Sequence, residues 1–173
     1  MADLYTFRGN FAFSDLSANP YECLGRFSAG ASVPIERGDI LLLAGGIWGP
    51  IGSTDGSMAG VIAVAAEKLV TGSLAGRYPI WVPRPGDVWE YELAAASNPA
   101  LGASLYPSAD QAVATSGSNV LAYVVDHPGF TQQQGRADVG DVLDRGSGAT
   151  VTNVNRVLLS FRQAASYFAA LHG

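Results

Sequence analysis

Apolar and polar positions alternate with period two over much of the chain, and turn residues interrupt the alternation at short intervals. In "DVWEYEL", Val88, Glu90 and Glu92 fall on one face of an extended segment, and Trp89, Tyr91 and Leu93 on the other. That alternation predicts a half-buried strand over 87–94. "ILLLA" has no polar position and predicts a fully apolar strand at 40–44. The alanines of "MAGVIAVAAEK" would permit a short helix, but β-branched Val61, Ile62 and Val64 favour a strand over 59–66. A strand at 78–82 ends at "PRPG", whose prolines mark a corner. Further strands are expected at 103–106, 111–115 and 119–126, separated by "PSAD" and "SGS", and at 154–162. "IWGPIGSTDGS" is read as a glycine-rich loop or short strand.

At the start, "LYTFRGNFAF" sets Tyr5, Phe7, Phe11 and Phe13 at odd positions, which suits a strand with one aromatic face. Such a strand can complete its own sheet or dock on a neighbour. Many short strands between frequent turns predict an all-β fold, a small β-barrel or sandwich. Residues 1–34 are expected as an N-terminal arm or irregular segment, and 35–173 as the β-barrel of what is a single domain overall. A polar, Gly-rich excursion spans 128–153, and "AASYFAALHG" suits a short C-terminal helix. No sequence repeat is evident. "GDILLL", "GDVWEYEL" and "GDVLD" echo one another only as turns that lead into strands.

Composition sharpens this picture. The chain has 173 residues, 48% hydrophobic, so it can bury a core. Charged residues make up only 14%, against about 25% in a typical soluble domain. So weakly charged an outside implies coverage by partners. The formal net charge is −5, and Lys68 is the only lysine, which argues against nucleic acid as a partner. The start carries no secretory pattern, and "AGVIAVAA" is too short to span a bilayer, so no membrane role is expected and synthesis in a cytoplasm is.

Candidate chemistry is thin. The glycines of "AGGIWGPIGSTDGSMAG" lack the Lys-Ser/Thr pair of a phosphate loop. Asp126 and His127 are adjacent, so on a strand they would point to opposite faces. Asp138, Asp141 and Asp144 recur every three residues, which is not the spacing of a calcium loop. Arg37-Gly38-Asp39 is explained by a turn entering a strand. The single cysteine, Cys23, reads as a small buried hydrophobe. Trp48, Trp81 and Trp89 could form a sugar platform, the basis of an alternative reading as a carbohydrate-binding β-sandwich. No catalytic residue, metal or cofactor is assigned.

One longer pattern resembles a known family. A "GD" turn enters an apolar strand, "AGVIAVAAEK" follows, then an aromatic strand, then "ALGASLYPSADQAVATSGSNVLAYVV". Over roughly 36–127, with "RVLLSFR", this order is similar to the small β-barrel capsid decoration, or cement, proteins of tailed bacteriophages. The resemblance implies a virion protein on the outer surface of an icosahedral head, a homotrimer, with the major capsid protein as its partner. Leu4, Tyr5, Phe7, Phe11 and Phe13 are then the expected interface residues, acting as an arm that extends a neighbour's sheet.

Overall fold

The computed structural model describes residues 9–27, 35–52, 61–69, 76–108, 111–126 and 154–162. Within these, the chain forms eleven strands: β1 (Asn10–Ser14), β2 (Glu22–Phe27), β3 (Ile40–Ala44), β4 (Ile47–Pro50), β5 (Ile62–Ala65), β6 (Gly76–Trp81), β7 (Asp87–Ser97), β8 (Ser104–Pro107), β9 (Val113–Ala114), β10 (Ala122–Asp126) and β11 (Val154–Phe161). The excursion 128–153, the tail 163–173, His127 and the Asp138–Asp144 run lie outside the described residues, as do Leu4, Tyr5 and Phe7.

The strands close into two rings. The first runs β2-β4-β3-β5-β6 and back to β2. The second runs β7-β9-β8-β10-β11 and back to β7, with β1 added outside on β7. Taken in chain order, the connectivity is the same. In each ring the first strand lies parallel to the third and antiparallel to the fifth, and the second is antiparallel to the third and the fourth. The boundary expected at 34/35 falls inside the first barrel, because β2 is one of its strands.

The match extends to individual residues. Phe27 faces Trp48 across the parallel pair of the first barrel, and Leu93 faces Val113 in the second. Trp48 pairs onward with Leu43, and Val113 with Pro107. Leu41 sits opposite Ala63, and Leu105 opposite Ala122; all four are fully buried. Cys23 pairs with Ile80 as Trp89 pairs with Leu159.

The turns leading into β3 and β8 match as well. Gly38 N–H donates to Ala65 O at 2.8 Å, and Ala65 N–H to Asp39 O at 2.9 Å. Gly102 N–H donates to Val124 O at 2.8 Å, and Val124 N–H to Ala103 O at 3.0 Å. Both turns carry glycine at positive φ, 93° at Gly38 and 77° at Gly102, where a Cβ would be strained. The chain therefore contains an internal structural duplication that its sequence does not display.

The period-two pattern explains where the core lies. In the first barrel Leu41, Ala63, Ala65 and Ile80 point inward with Phe27, Ile35 and Leu69. Their neighbours Ile40, Ile62, Val64 and Trp81 point outward, yet they are buried in a cluster with Trp89, Tyr91, Leu105 and Phe161 of the second barrel. β3 and β5 are apolar on both faces because one face lines their own barrel and the other packs on its duplicate. β7 keeps the predicted alternation over 89–93, where Trp89, Tyr91 and Leu93 are buried and Glu90 and Glu92 half-buried on the other face; Val88, expected on the face of the two glutamates, is buried as well.

Candidate interaction surface

The aromatic start of the chain divides. Phe11 completes the chain's own sheet: β1 pairs with β7, Phe11 opposite Trp89, and the two rings meet edge to face with centroids 5.3 Å apart. Phe13, past a bulge, is 47% exposed. The chain enters β1 at Gly9, where a Cβ would overlap the Tyr91 ring. Only glycine allows so close a passage over that ring.

After β1 the chain presents a run of large apolar side chains to solvent. Leu16 is 67% exposed, Tyr21 53% and Leu24 62%. They stand on the link 15–21 and on the edge of β2, and this link is clamped. Leu16 N–H donates to Ser14 Oγ at 3.1 Å, and Asn19 N–H to Ser17 Oγ at 3.2 Å, the short side-chain turns typical of serine. Arg84 Nη2 donates to Asn19 O at 3.0 Å. The same guanidinium holds Asp87 through Nε at 3.3 Å and Nη2 at 3.3 Å, a two-point grip on a carboxylate with no exposed surface. Tyr21 O accepts from Val82 N–H at 2.9 Å, which seats the end of the link on the first barrel. Large apolar groups in ordered positions on a weakly charged exterior suit contact with another macromolecule.

The remaining candidates serve the fold. Trp89 is fully buried and Trp81 nearly so, 6.0 Å apart between centroids. Arg37 lies over the Trp81 ring at 5.0 Å, and Trp81 Nε1 donates to Glu22 Oε2 at 3.2 Å. With Trp48 half-buried against the first core, no two of these tryptophans stand together on the surface. The Arg37-Gly38-Asp39 tripeptide is a turn, as expected: Asp39 is buried and its Oδ2 accepts from Glu36 N–H at 2.9 Å. Asp87 repeats this contact with Arg84 N–H at 2.9 Å, after Gly86 at φ 85°.

Cys23 is half-buried rather than buried, at the edge of β2. Burial pushes its thiol pKa up, and the adjacent Glu22 carboxylate adds to the shift, so the thiol stays neutral. Among the described residues no group of three or more His, Cys, Asp or Glu side chains could hold a metal ion.

Sequence reasoning placed Phe11 and Phe13 on a strand but missed Leu16, Tyr21 and Leu24. The signal was there: Leu16 is a large apolar residue between "SD" and "SANP", where turn chemistry gives it no core to enter. No family model matches the chain, and neither a curated protein nor a solved structure does.

Proposed function

We propose that this protein is a structural component of a phage virion, which binds the outer surface of an icosahedral head and stabilises the expanded shell. The observation that carries the reading is the clamped apolar run Phe13, Leu16, Tyr21 and Leu24, exposed on a chain with few charges. A protein whose partner is a shell needs contact area, and about 800 Å² per partner makes a specific interface. Apolar anchors held still by a hydrogen-bonded link lose little entropy on docking. Between these anchors stand the small residues Ser14, Ser17 and Ala18, and both serine hydroxyls already accept backbone N–H groups, which lowers the cost of burying them. The order of strands and turns over 36–127 supports the same reading through its resemblance to decoration proteins. A homotrimer would add avidity of about 10²–10⁴-fold.

The test is direct. Purified protein is mixed with bare expanded heads built from the major capsid protein of the same phage, and the heads are sedimented and imaged. Saturable decoration is expected, together with greater resistance of the heads to heat. Phe13→Ser with Leu16→Ser should weaken binding at least tenfold without lowering thermal stability, since both side chains are exposed. Heads that remain bare at saturating protein, or that bind the double variant as well as the parent, would overturn the reading.

A further inference from the structure

The duplication exposes an asymmetry. In the second barrel the outer edge of β7 is occupied: β1 pairs there from Asp87 to Glu90. The same edge of the first barrel is the start of β2, where Glu22, Cys23 and Leu24 correspond to Val88, Trp89 and Glu90. No strand among the described residues pairs with that side of β2 before Phe27 meets Trp48. Glu22 and Leu24 are exposed, and Cys23 is half-buried.

Backbone direction completes the site. Val82 N–H donates to Tyr21 O at 2.9 Å, so hydrogen bonds to β6 fall at Tyr21, Cys23 and Gly25 by the antiparallel alternation. Leu24 faces Pro79, which has no N–H to give. The N–H and C=O of Glu22 and Leu24 therefore point away from β6, along the open edge. Such an edge is a template for another strand.

We propose that this edge takes an added antiparallel strand, Leu4–Phe7 from a second copy of the chain. The occupant is chosen by the duplicate. Where the equivalent edge is filled, its strand comes from the N-terminal region and sets an aromatic, Phe11, against Trp89. Leu4-Tyr5-Thr6-Phe7 continues that odd-position aromatic pattern upstream of β1. Cys23, at the place of Trp89, is a small, half-buried side chain, where the duplicate sets a large ring that Phe11 covers. Residues 1–8 would span about 26 Å if extended. Donor segment and acceptor edge are different parts of the molecule, so the contact is heterologous and can close into a ring. This inference rests on the capsid reading in so far as it names the contact that would build its homotrimer; self-association is measured without heads, so the two fail separately.

The experiment compares the full chain, a chain lacking residues 1–8, and Leu24→Pro. The truncated chain keeps β1, and the proline removes an outward N–H while sparing the bonds to β6. Sedimentation velocity over a concentration series should show the full chain associating and both variants remaining monomeric. Amide exchange at Leu24 should be roughly tenfold slower in the associated full chain than in the truncated one. A synthetic peptide of residues 2–8 should restore that protection to the truncated chain, a readout that holds even if Leu24→Pro misfolds. A monomeric full chain, equal association of the truncated chain, or Leu24 protection in a monomer would each overturn the proposal; the last would assign the edge to the chain's own N-terminus.

Discussion

Tyr91 Oη, inside the second barrel, donates a hydrogen bond of 2.9 Å to the carbonyl of Gly38 in the turn that opens β3 of the first. The phenol is fully buried. Burial pushes its pKa well above 10, and the nearby Asp39 carboxylate pushes it further. Tyr91→Phe should cost about 1 kcal/mol, mainly through the carbonyl left unpaired.

The same residue predicts a pH dependence. Below about pH 10 the phenol is protonated in both folded and unfolded chains and adds no slope. Above that, the unfolded chain releases the proton while the folded chain holds it. Stability therefore falls as pH rises, by up to about 1.4 kcal/mol per pH unit from this group. Tyr91→Phe should flatten the alkaline limb of a stability–pH curve from chemical denaturation. Parallel limbs in parent and variant would count against a protonated, buried Tyr91.

Gln111 makes the second bridge between the barrels. Its Oε1 accepts from Ile40 N–H at 2.7 Å, and its Nε2 donates to Ile51 O at 3.0 Å. Ile51 N–H in turn donates to Ile40 O at 3.0 Å, so the side-chain amide acts as one more peptide unit beside β3. Its backbone sits at φ 63°, unfavourable for a residue with a Cβ by roughly 1–2 kcal/mol. Gln111→Ala keeps that strain and leaves two backbone groups unpaired, costing roughly 1–3 kcal/mol for each group that stays dry. Gln111→Gly loses the same bonds but sheds the strain. Thermal melts should therefore rank parent above Gln111→Gly and Gln111→Ala lowest. A reversed order of the two variants would show that φ is not strained.

How much of this was legible follows from where the information lies. β5 and β7 are legible in β-branching and in period-two alternation, and β3 in an unbroken apolar run, because both faces of β3 and β5 meet apolar surface, one within their own barrel and the other against its duplicate. β1 was half visible: Phe11 fits the aromatic alternation, but the bulge before Phe13 breaks the register and is set by its pairing with β7. β2 was hidden, since "ECLGRF" mixes charge, glycine and one aromatic, and its strand state is imposed by β6 and β4. The duplication was hidden for a related reason. Equivalent positions hold unlike residues, Cys23 for Trp89 and Gly25 for Tyr91, and the connections differ in length. Backbone pairing conserves topology where side chains compensate for one another across strands. The expected arm rests on the odd-position aromatics of "LYTFRGNFAF"; that Phe11 belongs to the chain's own sheet depends on an edge of β7 that no local pattern reports.

One such compensation can be tested. Gly25 holds in the first barrel the place that Tyr91 holds in the second, and a Cβ there would come within 2.6 Å of Trp48 Cδ1 and 2.8 Å of Ile80 Cδ1. Trp48 corresponds to the much smaller Val113. The space that a tyrosine of the first strand fills in one barrel is filled in the other by a tryptophan of the third. Gly25→Ala should cost about 1–3 kcal/mol by overpacking. In a Trp48→Leu background much of that cost should disappear, giving a coupling of at least about 1 kcal/mol in a double-mutant cycle. Additive effects would mean that the two positions do not share the space.

Arg84 carries the last prediction, because it joins stability to presentation of the apolar run. Its guanidinium grips Asp87 at two points and holds Asn19 O at 3.0 Å, linking the β6–β7 turn to the segment that bears Leu16. The Asp87 side chain has no exposed surface, whereas that of Arg84 is 27% exposed. Arg84→Ala strips a buried carboxylate of its cation and leaves it the Arg84 backbone N–H, which is retained in the variant. A loss of roughly 1–3 kcal/mol is expected, below the full value for a buried pair because water reaches one partner. Arg84→Lys keeps the charge without the fork and cannot hold Asp87 and Asn19 together, so it should recover only part of the stability. The segment itself provides the separate readout. Limited proteolysis at Leu16 or Tyr21 should accelerate in both variants while cleavage within β7 stays slow, since freeing the Asn19 carbonyl loosens the link and not the barrel. Cleavage that speeds up equally at both places would show that Arg84 supports the whole fold rather than the presentation of this surface.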